Sequence, residues 1–178
     1  MFKTVTVMLV TLFACLLAVN DARAQDQNRI GVTILFPAAV GLNWELSPQI
    51  AFRTEVSFSR STTSASLANS ISVSPVSVSK SITAGLSGVI YIHNLSPLRL
   101  YVSPRFAHTL GRVTGSTQVQ SAVSGSFGAQ YDFGLRFGIF AETGVGYTHS
   151  RTGPIVSNTI LTSNSLASRS EIGAIVFF

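Results

Sequence analysis

The sequence predicts an all-β protein: an eight-stranded antiparallel up-and-down transmembrane β-barrel with a filled interior. Three observations carry that prediction. Only 11% of the 178 residues are charged, while 46% are hydrophobic. An ordinary soluble domain carries about 25% charge. Apolar and polar residues alternate with period two through most of the chain beyond residue 28, which is the pattern of half-buried strands. Ten charges within those segments share one of the two faces.

The first 24 residues read as an address rather than as structure. Lys3 gives a positive start, Thr4 to Val19 is uncharged and apolar, and Ala22-Arg23-Ala24 closes with a small-x-small pattern. This is the form of a secretory signal peptide, with cleavage expected after Ala24. The apolar run is shorter than the roughly 20 residues of a membrane helix. Leu12-Phe13-Ala14-Cys15 resembles a lipoprotein box, but Leu16-Leu17-Ala18-Val19 continues the apolar core directly after it. The mature barrel domain is then 25–178. It carries no Cys, because Cys15 is the only one in the chain. Disulfides, thiolate metal sites and Cys nucleophiles are excluded with it. No metal site and no cofactor is expected.

The strands follow in order. Ile30, Val32, Ile34 and Phe36 form a first apolar face within 28–36. Val40, Leu42, Trp44 and Leu46 oppose Gly41, Asn43 and Glu45 in 39–46. In 50–60, Ile50, Phe52, Thr54, Val56 and Phe58 oppose Arg53 and Glu55. A fourth strand covers 76–92. In 98–112, Leu98, Leu100, Val102 and Phe106 oppose Arg99, Tyr101 and Arg105. In 117–132, Val119, Val123, Phe127 and Tyr131 oppose Gln118, Ser126 and Asp132. In 135–151, Leu135, Phe137, Ile139 and Val145 oppose Arg136 and Glu142. The last strand, 166–178, sets Ile172, Ala174, Val176 and Phe178 against Arg169, Glu171 and Gly173.

Tight connections at Ser47-Pro48-Gln49, His93 to Pro97 and Asp132-Phe133-Gly134 hold the residues that turns need. The connections at 61–75, 113–116 and 152–165 are polar and mostly longer, and the link at Pro37-Ala38 is short. Alternating short and long connections are those of a barrel with two unlike ends. In 61–75, Ile71-Ser72-Val73-Ser74 still alternates before Pro75 breaks the phase, so the fourth strand is expected to rise beyond the membrane.

Charge placement decides which face meets lipid. A soluble barrel would pack Trp44, Phe52, Phe58, Phe106, Phe127 and Phe137 into one small lumen, and an eight-stranded lumen is only just wide enough for side chains. With the apolar face outward, the near absence of charge on it becomes a requirement, since a cation at the bilayer midplane costs about 2–4 kcal/mol.

The C-terminal pattern Glu171-x-Gly173-x-x-Val176-x-Phe178 resembles the terminal assembly signal of bacterial outer-membrane β-barrels. With the signal peptide, the missing Cys and eight alternating segments, the whole mature chain resembles the small OmpA/OmpX-like eight-stranded barrel family. The resemblance implies a Gram-negative outer membrane, tight turns on the periplasmic side, and delivery by periplasmic chaperones to the barrel-assembly machinery. A monomer is expected, without an appended peptidoglycan-binding domain.

Ten charges point inward: Arg53, Arg99, Arg105, Arg136 and Arg169 against Glu45, Glu55, Asp132, Glu142 and Glu171. An isolated buried charge is costly, so an ion-pair network that plugs the barrel is expected. Glu142 would pair with Arg169, and Asp132 with Arg136 or Arg99. Arg60, Lys80, Arg112 and Arg151 have outward parity at the end assigned as extracellular. Arg suits bidentate phosphate contact, so this collar is expected to bind lipopolysaccharide. The mature charge of +4 (10 basic against 6 acidic) then points to membrane phosphates, and the scattered cations exclude a nucleic-acid partner.

No enzyme is expected. His108-Thr109 and His149-Ser150 are adjacent residues of one strand and point to opposite faces. The His-x-Ser arrangement of lipid A deacylase barrels is missing, because Arg151 stands two residues after His149. The leading reading is a structural or surface-interaction barrel, serving membrane integrity, adhesion or loop-mediated binding. A narrow channel for small solutes and a lipid-modifying enzyme are the alternatives.

Overall fold

A computed structural model describes residues 29–36, 38–63, 77–113, 116–154 and 160–178. The proposed signal peptide and the alternating run 71–74 lie outside the described residues. Eight strands follow in order: β1 (Arg29–Phe36), β2 (Ala39–Ser47), β3 (Ile50–Thr63), β4 (Ser77–Leu95), β5 (Leu98–Val113), β6 (Ser116–Phe133), β7 (Phe137–Pro154) and β8 (Leu161–Phe177). Each pairs antiparallel with its sequence neighbours, and β8 pairs back onto β1 to close the barrel. The strands agree with those expected from alternation, and most run further. β7 and β8 continue into the segment expected as a long loop, so Leu161 and the polar residues 162–165 are strand. The 113–116 connection is tight, because β5 ends at Val113 and β6 begins at Ser116.

The register gives the stagger. Ile34 faces Val40, and the row continues through Val56, Ala84, His108, Ser121, His149 and Asn164. Asn164 lies eight residues above Ile172, the partner of Phe36, so the circuit closes ten residues above Ile34. Closure with such a shear requires strands tilted by about 35–45° to the barrel axis.

The alternation has the expected sense. Ile34, Phe36, Leu42, Phe58, Phe106 and Phe127 are exposed on the outside. Thr33, Asn43, Arg53, Ser103 and Gln130 are buried in the lumen. The lumen also takes four aromatic rings, Tyr91, Tyr101, Phe140 and Phe177. Two of them fit because glycines face them: a methyl group on Gly128 would overlap the Tyr101 ring, and one on Gly173 would lie 2.5 Å from the Phe140 ring.

The wall is not of even height. β1 and β2 are only 8 and 9 residues long. Their pairing stops at Phe36 with Ile172 and at Ala39 with Ser57. Above that level, among the described residues, β3 and β8 have no strand paired on the sides that face β2 and β1, which leaves a notch in the described wall.

Candidate functional site: a two-layer plug and an outer row of cations

The inward strand positions build a plug in two electrically neutral layers. The lower layer lies near the end that carries the turns at Pro48, Pro97 and Gly134. Arg29 and Arg99 both hold Glu45, at 2.8 and 2.7 Å, and Arg99 also holds Asp132 at 2.8 Å. Gln130 donates to Asp132 at 2.8 Å and accepts from the Tyr91 hydroxyl at 2.9 Å. The Arg99 guanidinium covers the Tyr91 ring at 4.3 Å, and that of Arg29 covers Phe177 at 4.2 Å. Two cations thus balance two carboxylates.

The middle layer repeats the design. Arg53 is 3.3 Å from Glu142, Arg169 is 2.5 Å from it, and the Tyr101 hydroxyl donates to it at 3.1 Å. The Arg53 guanidinium lies 3.8 Å over the Phe140 ring. Arg105 pairs with Glu55, and Arg169 with Glu171. Three cations balance three carboxylates. Arg53 is 1% exposed and Glu142 5%, so the centre of this layer is shielded from solvent. Gly85 makes room for it: a methyl group there would meet the Glu55 carboxylate at 2.6 Å.

Nine of the ten charges expected inside are therefore brought together: Glu45, Arg53, Glu55, Arg99, Arg105, Asp132, Glu142, Arg169 and Glu171. Arg136 is a correction. It sits exposed in the turn before β7, where its carbonyl accepts from the Phe177 N–H, and it belongs to none of these ion pairs. The turn breaks the alternation that parity assumed. Its place is taken by Arg29, which stands outside the ten charges expected inside. Arg29 shares the parity of Gly31 and Thr33, so the signal was present.

On the outside, Arg60, Lys80, Arg112 and Arg151 are all exposed. Arg60 faces Lys80 directly, and Lys80 faces Arg112. Arg151 lies on β7 opposite Val119, outside that row. All five described carboxylates face the lumen, and among the described residues none of the four outer cations forms an ion pair. Beside this row an apolar groove of about 410 Å³ is lined by Phe58, Ile82, Leu110 and Val119 beneath Lys80 and Arg112.

The histidines find partners across strands rather than along them. His108 Nδ1 is 3.0 Å from Ser121 Oγ, and His149 Nδ1 is 2.7 Å from Asn164 Oδ1. His93 is exposed. Among the described residues no group of three His, Cys, Asp or Glu is placed to hold a metal ion. In the terminal strand, Gly173 is buried and Glu171 half-buried, while Val176 and Phe178 are exposed on the apolar face.

No family model and no curated protein matches the sequence. Among solved structures, CarO of Acinetobacter baumannii is similar at 9% identity over 88% of this chain and 100% of that one, with a TM-score of 0.43. A major outer membrane protein from Thermus thermophilus is similar at 13% identity over 84% and 98%, with a TM-score of 0.45. CarO2 of Acinetobacter baumannii is similar at 9% identity over 84% and 97%, with a TM-score of 0.42. Likenesses this distant assign neither ligand nor activity.

Proposed function

We propose that this protein is an outer-membrane barrel with a structural or surface-interaction role, spanning the bilayer as a sealed cylinder rather than as a pore. The observation that carries the reading is the Arg53–Glu142 pair at the barrel centre, with Arg53 only 1% exposed. A conducting pathway would have to run through that pair and its neighbours. The outer wall supports a lipid surround: Phe58 is 64% exposed and Phe106 51%, more apolar surface than water-facing sheets carry. The terminal strand, with Phe178 exposed, supports delivery to the barrel-assembly machinery after removal of the leader at Ala24. The chain would work as a monomer, with outer-membrane lipid as its first partner.

Planar-bilayer recording of the purified, refolded protein tests the seal. No steady conductance is expected from the wild type. A large, steady wild-type conductance would replace this reading with that of a channel. Fractionation of expressing cells, with heat-dependent gel mobility of the outer-membrane fraction, tests the membrane placement itself.

A lipid-modifying enzyme has one observation in its favour, the His108–Ser121 contact at 3.0 Å on the outer face. A serine nucleophile also needs preorganised donors for the oxyanion. Ser121 sits where β6 is paired on both edges, opposite His108 and His149, so the ladders occupy the neighbouring N–H groups. No fatty-acid release from lipopolysaccharide or phospholipid is expected. Release that disappears in Ser121→Ala would establish the enzyme instead.

A further inference from the structure

We propose that Arg60, Lys80 and Arg112 form a phosphate clamp for a multiply acylated, phosphorylated lipid of the outer leaflet, lipopolysaccharide, whose acyl chains lie on either side of Phe58. The inference rests on the reading of the protein as an outer-membrane barrel and deepens it.

The first observation is register. Three cations stand directly opposite one another on three neighbouring strands. Side chains opposed in this way have Cβ atoms about 4.5–5.5 Å apart, and like charges so placed repel. All three are exposed, and none has a carboxylate partner among the described residues, since every described carboxylate is engaged inside the lumen. An external anion removes the repulsion. Two guanidiniums flanking an ammonium match phosphate oxygens, with Arg supplying paired donors and Lys a point charge.

The second observation is what lies beside the row. One groove, lined by Phe58, Ile82, Leu110 and Val119, runs beneath Lys80 and Arg112. A second, of about 670 Å³, crosses the sill of the wall notch over Ile34, Phe36, Val40, Val56, Phe58 and Ile172. Phe58 belongs to both and forms the ridge between them. It stands two residues before Arg60 on the same face of β3. A ligand anchored by phosphate at Arg60 therefore has two shallow apolar grooves nearby, meeting at Phe58. That shape suits several acyl chains under a phosphorylated head.

The test uses the full refolded barrel in detergent micelles, with purified lipopolysaccharide as the probe and native mass spectrometry or fluorescence titration as the readout. Wild type binds. The triple variant Arg60→Ala/Lys80→Ala/Arg112→Ala loses at least tenfold in affinity, and Phe58→Ala loses several-fold. Arg151→Ala stays within twofold. Dephosphorylated lipopolysaccharide binds at least tenfold more weakly, and so does the fully deacylated, water-soluble form.

Binding by the triple variant within twofold of wild type overturns the clamp, provided its heat-dependent gel mobility shows a folded barrel. Equal affinity for micelle-embedded phosphatidylglycerol overturns the assignment to lipopolysaccharide. If cell fractionation finds the wild type outside the outer membrane, the underlying reading has failed. If it is found there and the triple variant still binds, only the clamp has failed.

Discussion

Arg53 and Glu142 meet at 3.3 Å in the middle of the barrel, from strands β3 and β7 that never touch as neighbours. The pair spans the lumen, so it ties opposite walls together. Removing one partner strands a buried charge, which typically costs about 3–5 kcal/mol. Arg53→Ala and Glu142→Ala should each lower stability by that order. Replacing both residues with Met should cost far less, because the desolvation penalty goes with the charges. Urea unfolding of the refolded protein in lipid or detergent, followed by intrinsic fluorescence, checks both outcomes.

Gly128 has a different job. It faces the Tyr101 ring, and an added methyl group would overlap it. Forcing extra volume into a packed interior costs typically about 1–3 kcal/mol. Gly128→Ala should destabilise by that order. Gly125→Ala should be nearly silent, since nothing lies within 4 Å of its added methyl. The same unfolding experiment compares them, and a similar loss at both positions would refute the packing argument.

The lipid face predicts a third result. Phe127 is 49% exposed on the outward side of β6, amid the apolar band. In a bilayer, Phe127→Lys should cost about 2–4 kcal/mol. On a water-facing wall the same change would be close to neutral. Unfolding in phospholipid vesicles decides between them.

Arg29 and Arg136 make a matched pair of tests. Arg29 holds Glu45 at 2.8 Å, whereas Arg136 is exposed outside the network. A double-mutant cycle of Arg29 with Glu45 should show a coupling of about 0.5–3 kcal/mol. The cycle of Arg136 with Asp132 should be additive within about 0.5 kcal/mol. Coupling in the second and not the first would return Arg136 to the network in place of Arg29.

Parity along a strand was legible from sequence because it is local. Each residue's face follows from its neighbours two positions away, so Glu45, Arg53, Glu142 and Arg169 could be placed in the lumen from the chain alone. Parity fails where the backbone leaves the strand. Arg136 sits in a turn that includes Gly134 at φ +74°, and there alternation no longer reports direction. Parity placed Tyr101 on the inward face, but the rings of Tyr91, Phe140 and Phe177 were missed. A ring such as Phe140 looks too large for the lumen until the glycine opposite it on another strand, Gly173, is known.

The sequence by itself determined the strand count, the closed up-and-down order, the apolar outside and the charge-bearing inside. All of these follow from period two and from turn residues. Only the tertiary structure decided which charges share a layer, that Arg60, Lys80 and Arg112 stand in one row, and that the wall is notched above β1 and β2. The layers and the row depend on register between strands, and the registers of all eight pairs sum to the ten-residue stagger with which the sheet closes. That stagger is a property of all eight strands together, so no single stretch of sequence contains it.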